Sequence, residues 1–230
     1  MTDAHDREIA TMFDRIAIRY DFLNRVLSFG TDVGWRRRTI ARADIRPGSW
    51  VLDIGAGTGD LSFAAAARGA SVVAIDLSPG MLAVLSRRAT GMQRARVRPL
   101  VGNAEALPLP DASIDRIVSG FTVRNVGDLG RAFAELRRVL RPDGRAVVLE
   151  LSHPPSPVFA QLFALYFSFL LPALARLLGG DGRAYRYLPE SLRSFPDAER
   201  LAAMLRDAGF STVTYERVTF GIAAIHIAEV

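Results

Sequence analysis

Short apolar runs alternate with longer amphipathic segments over most of the chain, which predicts strands alternating with helices. Most of the first five runs are nearly continuous in apolar residues, as expected for strands that helices cover on both faces of a parallel sheet. Two further strands are predicted near the carboxyl terminus. The seven predicted strands are Trp50–Ile54, Ser71–Asp76, Val97–Gly102, Ile114–Gly120, Ala146–Leu151, Thr212–Arg217 and Ile222–Ala228.

Helical patterns occupy the intervals between these strands. Asp128 is placed as an N-cap, and Arg141-Pro142-Asp143-Gly144 ends the helix that follows it and turns the chain into the next strand. Gly209 is the expected C-terminal cap of the last helix. The predicted helices are Leu61–Arg68, Pro79–Arg88, Asp128–Leu140 and Pro196–Ala208.

The segment before the first strand also has a helical pattern, with predicted helices over Thr11–Asn24 and Val33–Ala43. A further helical segment follows the fifth strand. Residues 1–230 are therefore predicted to form a single α/β domain. Its expected architecture is a doubly wound, mostly parallel seven-stranded sheet with an N-terminal helical cap and a helical insertion after strand 5.

The most informative residues surround the end of the first strand, where Asp53 is followed by Gly55, Gly57 and Gly59 and then by a helix. Glycines there let the backbone turn sharply and let a ligand approach the main chain closely. A dinucleotide fingerprint aligned on the first two glycines needs its third glycine at residue 60, which is Asp60. Because an acidic side chain opposes a pyrophosphate, the pattern indicates a nucleoside cofactor without phosphate.

Two other strand ends are expected at the same edge of the sheet, where ligands of this fold class bind. Asp76 ends the second strand and is placed to accept hydrogen bonds from ribose hydroxyls. Asn103 and Ala104 follow the third strand, where they would meet an adenine. Asp53 belongs either to this cofactor site or to the loop itself, as a structural acid that caps the loop amides.

These motifs resemble those of class I S-adenosylmethionine-dependent methyltransferases, which have a Rossmann-like fold. Additional blocks make the chain similar to the ubiquinone/menaquinone biosynthesis C-methyltransferase family from about residue 8 to about residue 227. These blocks are Tyr20–Asn24, Leu27–Gly30, Trp35-Arg36, Asn103–Pro108, Arg124–Val126, Arg138–Gly144 and Tyr185–Ser191.

The resemblance implies that S-adenosylmethionine donates a methyl group to a ring carbon of a polyprenylated quinol, converting demethylmenaquinol to menaquinol. By motif position, the cofactor contacts fall on Thr58, Asp76, Asn103 and Ala104, beside the glycine loop. Methylation of 2-polyprenyl-6-methoxy-1,4-benzoquinol in ubiquinone synthesis, or both reactions, stays open. Alternatives from other classes are a nicotinamide-dependent oxidoreductase, which Asp60 opposes, and a non-catalytic cofactor-binding protein.

The chain departs from the family pattern at several positions. Asp32 stands where the family commonly has His, Gly120 where some members have a Ser that contacts the cofactor, and Thr122 where Gly is usual. The final strand lacks the usual Arg-Gly after His226. These departures concern the catalytic base and the choice of quinone, and they leave the glycine loop intact.

Methyl transfer from a sulfonium is an in-line displacement that depends on holding the two carbons close and aligned. The ring carbon becomes more nucleophilic when the neighbouring hydroxyl loses its proton, so the site must favour a phenolate. Arg124 and Asn125, just past the fourth strand, are the predicted catalytic residues: the guanidinium stabilises the oxyanion and the amide orients it. In the alternative, Arg124 pairs with an acidic loop residue and only shapes the pocket.

Three other side chains have two interpretations each, and His226 has one. Tyr20 and Asp21 either cover the cofactor from the N-terminal cap or only pack within it. His153, after the fifth strand, is either a base or a hydrogen-bonded loop residue. His226, in the apolar last strand, is interpreted as a hydrogen-bonded core residue.

The segment Pro157–Leu178 is unusually apolar. A membrane-spanning helix needs about 20 apolar residues, and polar residues together with Pro172 interrupt this run, so no span is predicted. One apolar stripe fits a core helix, while Leu165 and Phe169 on another face indicate contact with a prenyl tail or with lipid. The stripe consists of Phe159, Leu162, Phe163, Tyr166, Phe167, Leu170, Leu171 and Leu174.

Composition narrows the chemistry further. The chain has no Cys and only three His, far apart in sequence, so disulfides and thiolate nucleophiles are excluded and no metal site is predicted. It contains no Lys, which excludes a Lys Schiff base and a Walker-type phosphate loop. The net charge of +5 permits an anionic membrane surface as a partner, and nucleic acid is not expected. The charged N-terminus, which lacks a secretory signal, predicts a cytoplasmic protein. The apolar segment and the positive charge together predict peripheral contact with the inner face of the membrane.

Overall fold

The structure, a computed structural model, describes residues 4–18, 20–170, 187 and 191–230. Seven strands within these ranges form one sheet: β1 (Trp50–Ile54), β2 (Ser71–Asp76), β3 (Val97–Val101), β4 (Ile114–Gly120), β5 (Leu140–Leu151), β6 (Thr212–Val218) and β7 (Ala223–Glu229). Their order across the sheet is β3-β2-β1-β4-β5-β7-β6. β7 is antiparallel to both of its neighbours, and the other pairs are parallel. The predicted doubly wound, mostly parallel sheet is confirmed.

The predicted bounds of β1, β2 and β4 agree with the structure at both ends, and β5 differs most. β5 begins at Leu140, which pairs with Ile114 before the register shifts. The predicted turn Arg141-Pro142-Asp143-Gly144 is therefore an irregularity at the start of the strand. The expected coverage of both faces is wrong for β3, because β3 is an edge strand with four of its five residues exposed.

The predicted helix Pro79–Arg88 has the same bounds in the structure. The predicted helices after β1, after β4 and before β6 are present with different ends, and the short helix Gly91–Arg96 was not predicted. Asp128 caps its helix as predicted, by accepting a 3.0 Å hydrogen bond from the N–H of Arg131. The last helix begins later than predicted because Asp197 is its N-cap. The helices are α1 (Ala4–Ile16), α2 (Tyr20–Leu27), α3 (Thr31–Arg42), α4 (Asp60–Ala66), α5 (Pro79–Arg88), α6 (Gly91–Arg96), α7 (Leu129–Val139), α8 (Pro157–Leu165) and α9 (Ala198–Asp207).

The prediction of one helix over Thr11–Asn24 is wrong, because the chain turns between α1 and α2. The turn allows the ring of Phe13 to pack edge-on against the ring of Tyr20, with the ring centres 5.9 Å apart. α1 also begins earlier than predicted, at Ala4. The N-terminal cap therefore contains two helices, α1 and α2, where the sequence predicted one.

Helices cover the sheet on both faces, and each face has its own apolar core. One core includes Trp35, Leu61 and Met81, contributed by α3, α4 and α5. The other includes Phe133 of α7 and Leu201 of α9. Because the connections leave β1 and β4 toward opposite sides, the carboxyl ends of these two strands border a crevice suited to ligands.

The apolar insertion forms α8, which continues as a π-helical turn over Tyr166–Leu170. The described residues do not include Leu171 and Leu174 of the predicted stripe, nor Pro172. The same is true of the Tyr185–Ser191 block, apart from Tyr187 and Ser191. Among the helices that the structure describes, none has the length and apolarity required to cross a bilayer.

Candidate active site

The loop between β1 and α4 has a backbone that favours glycine. Gly55, Gly57 and Gly59 have φ values of 63°, 54° and 97°, in the left-handed region. A Cβ at Gly55 would overlap the side chain of Thr122, the residue that stands where the family usually has Gly. The loop therefore lies close against the end of β4, with its main chain facing the crevice.

Asp76, at the end of β2, holds this loop in place. Its Oδ2 accepts a hydrogen bond from the N–H of Gly57 at 2.8 Å, and its Oδ1 accepts one from the N–H of Ser78 at 2.8 Å. Burial raises the pKa of Asp76, and the two N–H groups oppose that shift. Each carboxylate oxygen can accept more than one hydrogen bond, so Asp76 can still bind a ligand hydroxyl.

Asp53 is buried, and its partner is a side chain. Its Oδ2 accepts a 2.6 Å hydrogen bond from the hydroxyl of Ser62 in α4, and its Oδ1 has no hydrogen-bond partner in the described part of the chain. Burial raises the pKa of Asp53 to about 7. The interpretation of Asp53 as a cap for the loop amides is therefore wrong. It is a buried acid with one oxygen unpaired.

Thr58 and Asp21 contact each other. The Thr58 hydroxyl donates a 2.6 Å hydrogen bond to Asp21 Oδ1, and Arg88 donates to both Asp21 Oδ2, at 2.7 Å, and the Thr58 carbonyl, at 2.9 Å. Asp21 therefore fastens the N-terminal cap to the glycine loop, and the Thr58 hydroxyl is engaged by the cap.

Asn103 joins the end of β3 to helix α1. Its Oδ1 accepts from the N–H of Glu105 at 2.8 Å, and its Nδ2 donates to Asp6 at 2.7 Å. Ala104 is buried beside it. Nothing in the sequence pattern pointed to Asp6, because its partner lies far along the chain.

A cleft of about 910 Å³, including its opening to solvent, lies over these strand ends. Gly59 is the one predicted cofactor residue that does not line it. Gly59 is instead the N-cap of α4, where a Cβ would lie 2.9 Å from atoms of Phe63 and Leu85. The predicted residues that line the cleft are Asp53, Gly55, Gly57, Thr58, Asp76, Asn103 and Ala104.

A second cavity of about 1120 Å³ adjoins the cleft. Tyr20 and Phe121 line both spaces and form the boundary between them. The cavity has polar residues on one side, from α2 and α3, and apolar residues on the other, mainly from α8. Its lining includes Asn24, Ser28, Asp32, Trp35, Arg124, Leu151, Phe159, Leu162, Phe163, Tyr166 and Ile222.

Arg124 and Asn125 lie on different sides of this boundary: Arg124 lines the second cavity and Asn125 lines the cleft. Arg124 Nη1 donates to Glu150 Oε1 at 2.6 Å and to the Phe121 carbonyl at 3.1 Å. The Arg124 and Glu150 side chains are only 7% and 1% exposed. Arg124 is therefore paired with an acid, as in the alternative interpretation, but that acid lies on strand β5 and not on a loop. The sequence suggested that Arg124 and Asn125 both act on one quinol oxygen. The structure places them in different spaces, so they do not face a common oxygen.

Both histidines considered above are held by backbone carbonyls. His153 Nε2 lies 3.0 Å from the carbonyl oxygen of Phe195, and His153 lines neither space. His226 Nε2 lies 2.8 Å from the carbonyl oxygen of Ala198, and burial lowers the pKa of this histidine. His226 is a hydrogen-bonded core residue, as predicted, and the geometry gives His153 no position as a base.

Arg36 was given no role by the sequence, although it lies between the two spaces. Its guanidinium carbon is 5.0 Å from the centre of the Phe121 ring, and its Nε is 3.5 Å from Asp60 and 3.6 Å from Asp32. Asp60 also pairs with Arg88 at 2.8 Å. Because three guanidiniums, those of Arg25, Arg36 and Arg88, lie within 4.0 Å of its carboxylate, Asp60 alone does not decide between a nucleoside and a dinucleotide cofactor.

Similarity to known proteins decides the cofactor class. The ubiE/COQ5 methyltransferase family matches residues 1–229. The chain is 47% identical over 220 residues to a demethylmenaquinone methyltransferase of Thermus thermophilus, covering 95% of this chain and 99% of that protein. It is 39% identical over 233 residues to a ubiquinone/menaquinone biosynthesis C-methyltransferase UbiE of Geobacter sulfurreducens, covering 100% and 90%.

A solved structure of an SAM-dependent methyltransferase from Aquifex aeolicus has the same fold, with a TM-score of 0.61 at 18% identity, over 84% of this chain and 88% of that chain. Together these similarities select methyl transfer over a nicotinamide-dependent oxidoreductase and a non-catalytic binder. The chain belongs to the ubiE/COQ5 methyltransferase family and is an S-adenosylmethionine-dependent methyltransferase.

Proposed function

We propose that this protein transfers the methyl group of S-adenosylmethionine to a ring carbon of demethylmenaquinol and so forms menaquinol. The observation that carries the proposal is the boundary formed by Tyr20 and Phe121, which line both the cleft and the second cavity. A donor in the cleft and an acceptor ring in the cavity would meet across these two side chains, as an in-line displacement requires.

The cleft offers a position for each part of the cofactor. The carboxylate of Asp76 would accept hydrogen bonds from the ribose hydroxyls, and the adenine would lie beside Asn103 and Ala104. The main chain at Gly55 and Gly57 would approach the remainder of the cofactor. Asp53, with one oxygen unpaired in the same cleft, is an acceptor for the ammonium group of the methionine part.

Arg124 would stabilise the negative charge that develops on the quinol oxygen during transfer. Glu150 and the Phe121 carbonyl accept hydrogen bonds from Nη1 of Arg124. The other terminal nitrogen, Nη2, makes no hydrogen bond with any described residue, and Arg124 lines the cavity. A pre-oriented cation at the site of a developing oxyanion lowers the barrier without reorganisation. Asn125, in the cleft, would orient the cofactor side of the reacting pair.

The apolar side of the cavity would hold the start of the prenyl tail. Phe159, Leu162 and Phe163 of α8 line it, together with Leu151 and Ile222 of the sheet region. Because the cleft and the cavity are built from the N-terminal cap, the sheet and the insertion together, we also propose that residues 1–230 act as one domain.

Exposed aromatic rings surround the cavity, which supports peripheral contact of a cytoplasmic protein with the inner, anionic face of a membrane. Phe29 and Phe220 are each 76% exposed and have positive φ, an uncommon backbone state for a bulky residue. The ring centres of Phe29 and Tyr166 are 5.9 Å apart, and those of Phe220 and Phe159 are 5.0 Å apart. A lipid-dissolved tail could pass from such a surface into the cavity.

Co-sedimentation with vesicles of an anionic phospholipid tests this contact. Phe220→Ser and Phe169→Ser should each reduce the bound fraction. Met92→Ser is the matched control, because Met92 is 68% exposed on α6, which packs at the β3 edge of the sheet. If all three variants and the parent protein bind the vesicles equally, the aromatic rings contribute to packing and not to membrane contact.

The choice of quinone is tested by comparing kcat/KM for demethylmenaquinol and 2-polyprenyl-6-methoxy-1,4-benzoquinol with the same tail. The high identity to a demethylmenaquinone methyltransferase supports a preference for demethylmenaquinol. A preference for the benzoquinol would move the proposal to ubiquinone synthesis, and turnover of neither would refute it.

A further inference from the structure

The second cavity contains a buried carboxylate for which the reaction so far has no use. Asp32, in the first turn of α3, is 3% exposed and is the one acidic residue among the described residues that line the cavity. Its Oδ1 accepts a 2.9 Å hydrogen bond from the Ser28 hydroxyl. Its Oδ2 lies 3.6 Å from Arg36 Nε, which is longer than a hydrogen bond, and it accepts none from the described chain.

The other titratable groups near the cavity are unsuited to accept a proton. Burial raises the pKa of Tyr20 and that of Tyr166, which also lines the cavity, so both hydroxyls keep their protons. Arg124 is a cation. Glu150 does not line the cavity and already accepts three hydrogen bonds, two from Arg124 and one from the N–H of Leu151. His153 is bonded to a backbone carbonyl away from the cavity.

We propose, on the basis of the proposed function, that Asp32 accepts the proton of the quinol hydroxyl next to the carbon that is methylated. The O–H bond breaks, the proton moves to Asp32 Oδ2, and the oxygen electron pair shifts into the ring. The ring carbon then forms its bond to the methyl carbon while the carbon–sulfur bond breaks. The bonding pair stays on sulfur and leaves S-adenosylhomocysteine.

The remaining proton transfers complete the reaction. The methylated ring carbon loses its own proton to solvent, which restores the aromatic ring and leaves a phenolate. The phenolate oxygen then recovers the proton from Asp32. One proton is released for each methyl group transferred, and Asp32 returns to its initial state.

Three neighbouring side chains, those of Ser28, Arg36 and Arg25, surround the Asp32 carboxylate. The Ser28 hydroxyl fixes the orientation of the carboxylate and leaves Oδ2 to receive the proton. Two guanidiniums face it: Arg36 on its own helix and, at 4.0 Å from Oδ1, Arg25 on α2. Arg36 also packs against Phe121 at the boundary with the cleft, so the carboxylate lies close to the place where donor and acceptor would meet.

The test compares Asp32→Asn, which preserves the shape of the side chain, with Asp32→His, which restores a proton acceptor. Removing a general base should lower kcat with demethylmenaquinol by about 100-fold or more, and the histidine should recover part of it. The affinity for S-adenosylhomocysteine should be unchanged in both variants. Ser28→Ala, which keeps the carboxylate and removes only its fixed orientation, is the matched control and should lose less.

A second readout separates catalysis from structure. A quinol analogue with an electron-withdrawing ring substituent has a more acidic hydroxyl and needs the base less, so Asp32→Asn should lose less turnover with it than with demethylmenaquinol. An equal loss with both quinols, or turnover within about two-fold of the parent protein, would overturn the role of Asp32. If the Asn variant does not fold, Asp32→Ala must show the same dependence. Methylation by the parent protein tests the proposed function separately.

Discussion

The hydroxyl of Thr58 in the glycine loop donates a 2.6 Å hydrogen bond to the carboxylate of Asp21 in the N-terminal cap. Arg88 reinforces this link by donating to Asp21, to the Thr58 carbonyl and to Asp60. The position of the cap over the cleft therefore depends on a small network of charged groups that is partly open to solvent.

Asp21→Asn should weaken binding of S-adenosylhomocysteine by up to about 5-fold, because a partly exposed ion-pair network contributes about 1 kcal/mol or less. Isothermal titration measures the change. The control is Asp44→Asn, which removes an exposed ion pair with Arg116 remote from the cleft. Identical affinities for Asp21→Asn and the parent protein would show that the cap needs no link through Asp21.

Glu150→Gln should lower kcat about 10- to 100-fold and leave the affinity for S-adenosylhomocysteine unchanged, because Arg124 would lose the charge that holds its side chain. It should also lower the melting temperature, since breaking a buried ion pair costs up to about 3–5 kcal/mol. Glu216→Gln, which breaks the more exposed pair with Arg42, provides the comparison. An unchanged kcat would remove Arg124 from the transition state.

The stability of the cofactor-free protein should depend on pH through Asp53. Its pKa in the folded protein is raised to about 7, against about 4 in an unfolded chain. The folded state thus binds the proton more tightly, so the contribution of Asp53 is full below about pH 4 and is lost as pH rises through about 7.

Asp53→Asn, which cannot ionise, should gain stability relative to the parent protein as pH rises from about 5 to about 8. Urea unfolding measures the free energy of unfolding of both proteins over this range. The raised pKa of Asp76 affects both proteins and cancels in the difference between them. A constant difference would show that Asp53 keeps an ordinary pKa.

Phe133→Ala should cost about 3–5 kcal/mol of unfolding free energy, because the Phe133 side chain is fully buried in the core between α7 and the sheet. Met92→Ala, at an exposed position, should change it by about 0.5 kcal/mol or less. Urea unfolding measures both. A small loss of unfolding free energy in Phe133→Ala would mean that the neighbouring core residues move to fill the space left by the ring.

The sequence predicted the sheet well because its signals are local. β1 and β4 are apolar runs bounded by turn residues, and Asp128 and Gly209 mark helix ends by their own chemistry. The turn between α1 and α2 was missed, because the apolar spacing from Met12 to Leu23 fits one helix face and only the tertiary contact of Phe13 with Tyr20 requires a break.

The candidate site was predicted where strand ends carry the chemistry and missed where partners come from afar. Asp76 lies where its position at the end of β2 placed it. The pairing of Arg124 with Glu150 joins the helical turn after β4 to the end of β5, 26 positions away, and periodicity does not reveal such a pair. The contact of Asp6 with Asn103 spans 97 positions and depends on how the cap folds over the cleft.

Transfer of the methyl group to a quinol ring carbon can be followed with an isotope-labelled methyl group. The protein is incubated with S-adenosylmethionine carrying a carbon-13 methyl group and with demethylmenaquinol, and the product is examined by NMR. We predict one labelled methyl group, bonded to the quinone ring carbon adjacent to the one that carries the prenyl chain. A label on a quinol oxygen, or no transfer by protein that binds S-adenosylhomocysteine, would contradict it.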